Sequence, residues 1–232
     1  MKRALLSWSG GKDCAWALER LRGSDVLIVG LLTTFNQQTN RVAMHAVRRE
    51  LIEQQAREVG LPLWTAMLPW PCPNERYHQI MSDVCLRAAG WGIQAVVFGD
   101  LFLEDIRSYR ERMLDGTSLE PLFPLWGQPT GALAREMLGG GLRAIVACID
   151  RKVLDFSFAG REFDAEFLHD LPASADPCGE NGEFHTFAYD GPMFRRPVPV
   201  ECSMNREEGG FMYTDLKGAY VIGDPICPVS YL

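Results

Sequence analysis

The first part of the chain alternates short, continuously apolar runs with segments in which apolar residues recur every three or four positions. The short runs are rich in branched side chains and are predicted to form buried strands. These strands are expected over residues 4–8, 26–35, 61–68, 93–98 and 142–149. The intervening segments have the spacing of amphipathic helices. These helices are expected over residues 14–21, 47–59, 74–89, 104–114 and 133–138, and residues 122–126 are expected to be extended.

This alternation of strands and helices predicts a mostly parallel sheet covered by helices on both faces. Asn74 stands where the N-cap of the third helix is expected. Ligands of such sheets bind beyond the carboxyl ends of the strands. Four polar residues follow predicted strand ends, namely Ser9, Thr33, Thr34 and Asp100.

The pattern changes after about residue 155. A short helix is predicted over residues 163–171, and a polar loop follows it. Strand-like stretches then occupy residues 184–189, 198–204, 211–213 and 220–222. We therefore expect an α/β domain over residues 1–155 and a small, β-rich substrate region over residues 156–232.

Composition excludes several classes of protein. The chain has 232 residues, is 47% hydrophobic and has a formal net charge of −7, so a packed core is expected and a broad nucleic-acid surface is not. No stretch approaches the roughly 20 apolar residues of a membrane helix, and the apolar run at residues 4–8 is too short for a signal peptide. A soluble, cytoplasmic protein is expected.

The seven cysteines are widely spaced, and no pair is separated by two residues. This spacing argues against a disulfide framework and against a zinc site. We expect reduced thiols that pack as small hydrophobic side chains.

The strongest chemical signal is the segment Ser9-Gly10-Gly11-Lys12-Asp13, between a predicted strand and a predicted helix. Two glycines allow the backbone to approach phosphate oxygens, and the helix N-terminus and lysine supply positive charge. The alternative is a tight turn with incidental charge. The spacing differs from a Walker A loop, which would need glycine at Leu6 and Ser or Thr at Asp13.

The second signal lies in residues 179–186, which read Gly-Glu-Asn-Gly-Glu-Phe-His-Thr. Two carboxylates, an amide, an imidazole and a hydroxyl within eight positions exceed what a turn needs. The alternative is a glycine-rich loop whose charges are solvated.

At the first motif the chain resembles the PP-loop ATP pyrophosphatases, whose signature is S-G-G-K-D-S or S-G-G-x-D-S. The chain departs from this signature at Cys14, and a thiol donates hydrogen bonds poorly. A helix N-terminus is expected to lower the pKa of this thiol.

Both motifs together resemble the diphthine-ammonia ligase-like branch of that family. The similarity continues through Met44-His45 and through residues 53–63, 98–100 and 122–126. It implies a Rossmann-like fold of the adenine nucleotide alpha hydrolase type. Family members consume ATP and ammonium to amidate the carboxylate of diphthine, a modified histidine on translation elongation factor 2.

The motifs and the resemblance together assign roles to individual residues. The expected ATP site comprises Ser9, Gly10, Gly11, Lys12, Asp13, Cys14, Thr33, Thr34, His45, Gly99 and Asp100. The expected site for the acceptor or the incoming amine comprises Glu180, Asn181, Glu183, His185 and Thr186. The residues expected to be catalytic are Lys12, Asp13, Glu183 and His185, and Asp13 is also the expected Mg²⁺ ligand.

His45 is followed by Arg48 and Arg49, three and four positions later. On one helix face the three side chains would be able to meet an anionic ligand. The alternative is a histidine that merely packs on the helix surface.

The predicted reaction is an ATP-dependent ligation that adenylates an acceptor carboxylate and releases pyrophosphate, before ammonia or another amine displaces AMP. The acceptor is a small molecule or is carried by a protein. Both a monomer and a homodimer are compatible with the sequence. One alternative is an RNA-thiolating enzyme, which the acidic charge and the cysteine spacing disfavour. Another is a non-catalytic sensor of ATP or AMP.

Overall fold

A computed structural model describes residues 1–43 and 45–219. Sheet A contains β1 (Lys2–Ser7), β2 (Val26–Asn36), β3 (Arg41–Val42), β4 (Leu63–Leu68), β5 (Ala95–Val97) and β6 (Glu120–Leu122). Sheet B contains β7 (Arg143–Asp150), β8 (Phe184–Asp190), β9 (Val200–Glu208) and β10 (Phe211–Gly218). The α-helices are α1 (Lys12–Arg20), α2 (Arg49–Val59), α3 (Asn74–Gly90), α4 (Glu104–Leu114), α5 (Thr130–Gly139) and α6 (Ala165–Asp170).

Sheet A is largely parallel, as predicted. Its parallel strands follow the order β4-β2-β1-β5-β6, and the short β3 pairs antiparallel with the end of β2. The chain passes from β1 to β2 on one side, whereas β5 pairs with β1 on the other side. The carboxyl ends of β1 and β5 therefore flank a crevice, which is where ligands bind in open α/β sheets.

Alternate residues of the central strand pack against helices on opposite faces of sheet A. Leu6 belongs to the buried cluster that contains Ile52 of α2, whereas Leu5 belongs to the cluster that contains Met81 of α3 and Met113 of α4. Side chains of a strand alternate between its two faces, so a continuously apolar strand is covered on both sides. The prediction of helices on both faces is confirmed.

Sheet B is antiparallel, with the strand order β8-β7-β10-β9. The prediction of a β-rich C-terminal region is confirmed, but the strand expected at residues 142–149 was wrongly placed in the parallel sheet. As β7, it pairs with β8 and β10. A continuous apolar run indicates burial on both faces and does not identify the pairing partner. The division at residue 155 stays a prediction, and the stretch at residues 220–222 lies outside the described residues.

Three local predictions were wrong. Residues 122–126 are not extended throughout, because β6 ends at Leu122 and residues 124–127 form a turn. Pro73 occupies the N-cap position of α3, so Asn74 is the first helical residue and caps nothing. His45 lies in a turn before α2, which begins at Arg49. In the described part of the chain, no helix is long and apolar enough to cross a membrane.

Candidate active site

The first motif forms the connection from β1 to α1, and the local geometry requires glycine at position 10. Gly10 has a φ of +83°, which favours glycine. A Cβ atom at Gly10 would lie 2.6 Å from Cδ1 of Ile52 and 2.8 Å from Oε1 of Gln55. Gly11 is the N-cap of α1, so the helix N-terminus begins within the motif. This loop, residues 9–14, is called the phosphate loop below, after the ligand expected from its sequence.

The second motif, residues 179–186, contacts the phosphate loop directly and is called the acceptor loop below, after the role expected from its sequence. The backbone N–H of Lys12 donates to Oγ1 of Thr186 at 3.1 Å, across 174 positions of sequence. Two residues further on, the backbone N–H of Ala188 donates to the carbonyl of Gly10 at 2.8 Å. The two motifs identified in the sequence therefore form one structural unit.

The side chain of Lys12 is buried at this junction, with an exposed fraction of 1%. Its ammonium donates to Oδ2 of Asp13 at 2.9 Å and to the carbonyl of Cys178. It also lies 5.6 Å and 5.1 Å from the ring centroids of Phe163 and Phe184. Burial is the largest influence on the pKa of Lys12 and lowers it, but the charges of Asp13, Cys178 and Glu180 and the hydrogen bond to Asp13 together outweigh burial, so the pKa is raised. The amine therefore remains a cation inside the protein.

A cavity of about 460 Å³ opens beside the phosphate loop, at the carboxyl ends of β1, β2 and β5. Most of the predicted site residues line it. They are Ser9, Lys12, Asp13, Cys14, Thr34, His45, Gly99, Asp100, Glu180, His185 and Thr186. The predicted site residues that do not line it are Gly10, Gly11, Thr33, Asn181 and Glu183.

Thr33 and Glu183 have structural contacts instead. Thr33 is 1% exposed, and its hydroxyl donates to the carbonyl of Trp8 at 2.7 Å. Glu183 is 3% exposed, and its Oε1 accepts hydrogen bonds from the backbone N–H of Asp176 at 2.8 Å and from the amide of Asn181 at 3.0 Å. These bonds hold the conformation of the acceptor loop.

Glu180 connects the acceptor loop to the carboxyl end of β5. Its Oε1 accepts from the backbone N–H of Leu101 at 2.7 Å and, more weakly, from that of Phe102 at 3.4 Å. Burial raises the pKa of Glu180 to about 7. A carboxyl group with this pKa exchanges protons readily at neutral pH.

His45 and His185 line the same cavity as Glu180 and form a close pair, with ring centroids 4.5 Å apart. Burial lowers the pKa of His185 to about 4, and burial together with the neighbouring His185 lowers the pKa of His45 well below its ordinary value. Both imidazoles are therefore neutral at neutral pH. The predicted helix face shared by His45, Arg48 and Arg49 is wrong, because His45 precedes the helix and Arg48 is bound to Asp215 at 2.7 Å.

Cys14 is buried within the phosphate loop, and its thiol donates to the carbonyl of Gly11 at 3.1 Å. Burial raises the pKa of Cys14 to about 11, so the prediction of a lowered pKa is wrong. Desolvation of the thiolate outweighs the helix N-terminus here. The described cysteines are all free thiols, as predicted.

The far wall of the cavity was missed by the sequence analysis. It is formed by one face of α3 and one face of α4, together with one residue of β5 and the residue that follows this strand. Its members are Tyr77, Met81, Cys85, Val96, Phe98, Ile106, Arg110 and Met113. Regular spacing along the two helices was the available signal, but such spacing equally describes an ordinary core face.

Gln55 was also missed. It is fully buried on α2, and its amide nitrogen donates to the carbonyls of Gly10 at 3.0 Å and Ala188 at 2.5 Å. Its Oε1 accepts from the indole N–H of Trp8 at 2.8 Å. A polar residue within an apolar helical stripe was the signal that identifies it.

Two family models and several known proteins match this chain in sequence. Residues 1–120 match the N-terminal domain of diphthamide synthase, and residues 130–222 match its C-terminal domain. The diphthine–ammonia ligase of Danio rerio is 25% identical over 229 residues, which cover 84% of this chain and 85% of the relative. That of Rattus norvegicus is 24% identical over 246 residues, covering 97% and 87%, and that of Homo sapiens is 22% identical over 217 residues, covering 84% and 81%.

Proposed function

The chain belongs to the diphthamide synthase family, and on that premise we propose that it is an ATP-dependent ligase that joins ammonia to an acceptor carboxylate. The observation that supports this proposal most directly is that the phosphate loop and the acceptor loop line one cavity. The two loops are joined there by the hydrogen bond between Lys12 and Thr186. A nucleotide and a second substrate would therefore lie side by side. The relatives named diphthine–ammonia ligase support a diphthine-type acceptor, borne on a protein or presented as a small molecule.

The residues present suit ATP. A cavity of about 460 Å³ lies within the usual range for small-molecule sites. We assign the leaving pyrophosphate to the phosphate loop, where Ser9 and Lys12 line the cavity, Gly10 and Gly11 shape the turn behind them, and the N-terminus of α1 favours an anion. The adenosine is assigned to the side of the cavity formed by Thr34, Gly99 and Asp100, and Thr33 supports this side from beneath.

Mg²⁺ is compatible with the same loop. Oδ1 of Asp13 is buried and has no hydrogen-bond partner among the described residues, so it is available as one ligand. The described residues contain no group of three or more metal-binding side chains. Mg²⁺ commonly binds through one or two carboxylates together with phosphate oxygens and water, so Asp13 suffices on the protein side. The ion would neutralise phosphate charge.

The proposed chemistry has two steps. An oxygen of the acceptor carboxylate attacks the α-phosphorus of ATP, and the bond to the β-phosphate oxygen breaks as pyrophosphate leaves. Ammonia then attacks the acyl carbon, and AMP leaves with the bonding electrons. The protein contributes mainly positioning and charge stabilisation.

Ammonium must lose a proton before it attacks. Glu180 lines the cavity, and its pKa of about 7 suits a base that works at neutral pH. His185 lines the same cavity, and as a neutral imidazole it orients the amine through a hydrogen bond. Glu183, with Asn181, supports the loop that presents these groups.

The thiolation alternative is disfavoured by the cysteines themselves. Cys14 and Cys85 are the described cysteines that line the cavity, and burial raises the pKa of each to about 11. Sulfur transfer requires a thiolate, so these thiols are poorly suited to it.

The decisive experiment measures pyrophosphate, AMP and amide formation from ATP and ammonium. The acceptors would be an elongation factor that carries diphthine and a panel of small carboxylates. Stoichiometric pyrophosphate and amide that depend on both acceptor and ammonium support the ligase. ATP binding without pyrophosphate release, with every acceptor, favours the sensor and contradicts the ligase.

A further inference from the structure

Arg110 on α4 lines the cavity, and its forked guanidinium group is called the fork below. Its Nε donates to Oδ2 of Asp100 at 3.2 Å, and its guanidinium carbon lies 5.2 Å from the ring centroid of Phe98. Its Nη1 and Nη2 form no hydrogen bond with the described residues. The side chain is 25% exposed and lines the cavity. One edge of the guanidinium is therefore fixed, while the terminal nitrogens remain available to a ligand.

The other cation that lines the cavity is already engaged. Lys12 binds Asp13 and the carbonyl of Cys178, and its side chain is almost fully buried. His45 and His185 are neutral at neutral pH because burial lowers the pKa of each. Because the charge of Lys12 is already assigned to the pyrophosphate, Arg110 is, among the described residues of the cavity wall, the cation that remains for a second anionic ligand.

The surroundings of this fork are mostly apolar. Met81 of α3 and Ile106 and Met113 of α4 line the same cavity, and Phe98 contacts the guanidinium plane. A wall of this kind favours a carbon skeleton, whereas a charged phosphate chain is better matched by the backbone N–H groups of the phosphate loop.

We propose that Arg110 binds the carboxylate of the acceptor, and that the α3–α4 wall receives an apolar body attached to it. A planar guanidinium pairs with a carboxylate through two parallel hydrogen bonds, which a lysine is unable to reproduce. Asp100 holds the fork in place by binding Nε. The assignment rests on the proposed ligase function, because it identifies the anion as the group that is adenylated.

The test uses the full chain and needs no turnover. The protein is saturated with an ATP analogue whose α–β bridge is methylene, and it is titrated calorimetrically with butyrate, benzoate and hydrocinnamate. The neutral amide of each acid is the matched ligand control. We expect at least one acid to bind, and we expect its amide to bind at least about tenfold more weakly, the equivalent of one charged hydrogen bond.

Two variants of Arg110 and one control variant distinguish the contribution of the planar guanidinium geometry from the contribution of its positive charge. Arg110→Lys keeps a cation beside Asp100 and should weaken carboxylate binding about tenfold, whereas Arg110→Gln should weaken it about a hundredfold. Arg112→Gln changes an exposed arginine of the same helix and should leave binding unchanged. Thermal unfolding checks each variant, and Arg110→Lys decides the matter if Arg110→Gln does not fold.

Three outcomes would overturn the assignment. They are absence of carboxylate binding in the wild type, unchanged carboxylate affinity in folded Arg110→Lys, and an equal loss of nucleotide affinity in that variant. The last outcome would show that Arg110 binds ATP and not the acceptor carboxylate. Failure of the ligase function is a separate result, because it appears as absent pyrophosphate release and not as a change in equilibrium binding.

Discussion

Lys12 has two kinds of neighbour, and both kinds bear on its function. Lys12 belongs to the phosphate loop near the N-terminus. Its ammonium nevertheless contacts residues of the C-terminal region, namely Cys178 and the rings of Phe163 and Phe184. Its charge therefore reaches the proposed pyrophosphate site from a buried position and also holds the two regions together.

Replacement of Lys12 should affect both binding and stability. Lys12→Met keeps the length of the side chain but removes the charge, and it should weaken ATP binding by about 1.5 to 3 kcal/mol, as for a charge-assisted hydrogen bond. It should also lower the free energy of unfolding, because the carbonyl of Cys178 loses its donor. Calorimetry and denaturant unfolding measure the two effects. Lys152→Met, at an exposed lysine, is the control, and unchanged ATP affinity in folded Lys12→Met would refute the charge contribution.

Cys14 should be inert towards alkylation. Burial raises its pKa to about 11, so little thiolate exists at neutral pH, whereas the exposed thiol of Cys202 is accessible. Peptide mass spectrometry after iodoacetamide treatment should show label at Cys202 and none at Cys14 until the protein is unfolded. Cys14→Ser should retain or raise ligase activity, because adenylation needs no thiol. Complete loss of activity in a folded Cys14→Ser protein would instead favour sulfur chemistry.

Glu180 predicts a specific pH dependence of turnover. Its pKa of about 7 means that the basic form appears as the pH rises through neutrality, so turnover at saturating ammonium should rise over the same interval. Glu180→Gln should remove this rise and reduce turnover by about a hundredfold to ten-thousandfold, the range for general base catalysis. Glu166→Gln, at an exposed carboxylate, should keep the wild-type profile. Persistence of the rise in Glu180→Gln would assign the base to another group.

At the scale of elements, β8 and the β1–α1 connection are joined through α2. The Gln55 amide bridges the carbonyl of Gly10 in the phosphate loop and the carbonyl of Ala188 in β8, just after the acceptor loop. The geometry of one loop therefore depends on the position of the other. Thr186 of the acceptor loop also contacts Lys12 of the phosphate loop directly.

Gln55→Glu tests this bridge with almost no change in size. The carboxylate would face two carbonyl oxygens without donors, so the free energy of unfolding should fall by about 1 to 3 kcal/mol, as for an unsatisfied buried group. The KM values for ATP and for the acceptor should rise together, because both loops lose the same support. Gln37→Glu, at an exposed glutamine, is the control. A rise in only one KM would show that the loops are held independently.

At the scale of the molecule, an ion-pair cluster joins sheet B to the end of sheet A. Asp215 of β10 lies 2.8 Å from Nη2 of Arg41 in β3 and 2.7 Å from Nη2 of Arg48. Hydrogen bonds from Arg48, with those from Arg41, lower the pKa of Asp215 to about 2. The cluster thus favours the ionised carboxylate in the folded protein.

The stabilisation that Asp215 provides depends on pH in a definite direction. The pKa of Asp215 is depressed in the folded state, so its stabilisation is present above the ordinary value of 3.8 and is lost as the pH falls through about 2. Asp215→Asn should lower the free energy of unfolding at neutral pH by about 1 kcal/mol, because the pair is partly exposed, and by less at high salt. Asp25→Asn, at an exposed aspartate, should have no such effect. Equal stability of Asp215→Asn and the wild type at low salt would contradict this role.

The sequence by itself determined the local features of the molecule. Alternating apolar runs and helical stripes predicted the parallel sheet with helices on both faces, and two glycines before Lys12 predicted the phosphate loop. Helix α4 was predicted with its observed bounds, 104–114. These features depend on residues close together in the chain, because side-chain period and turn geometry are local properties.

Only the tertiary structure decided which distant groups meet. It placed β7 in sheet B, buried the ammonium of Lys12 against Cys178, and brought Arg110 to the cavity wall. Periodicity shows that a face is buried but not what covers it, so an apolar strand has no preferred sheet and an arginine among helical apolar positions has no assigned partner. Contacts such as Lys12 with Thr186 arise only when sheet B packs against the end of sheet A, and no pattern within either segment encodes that packing.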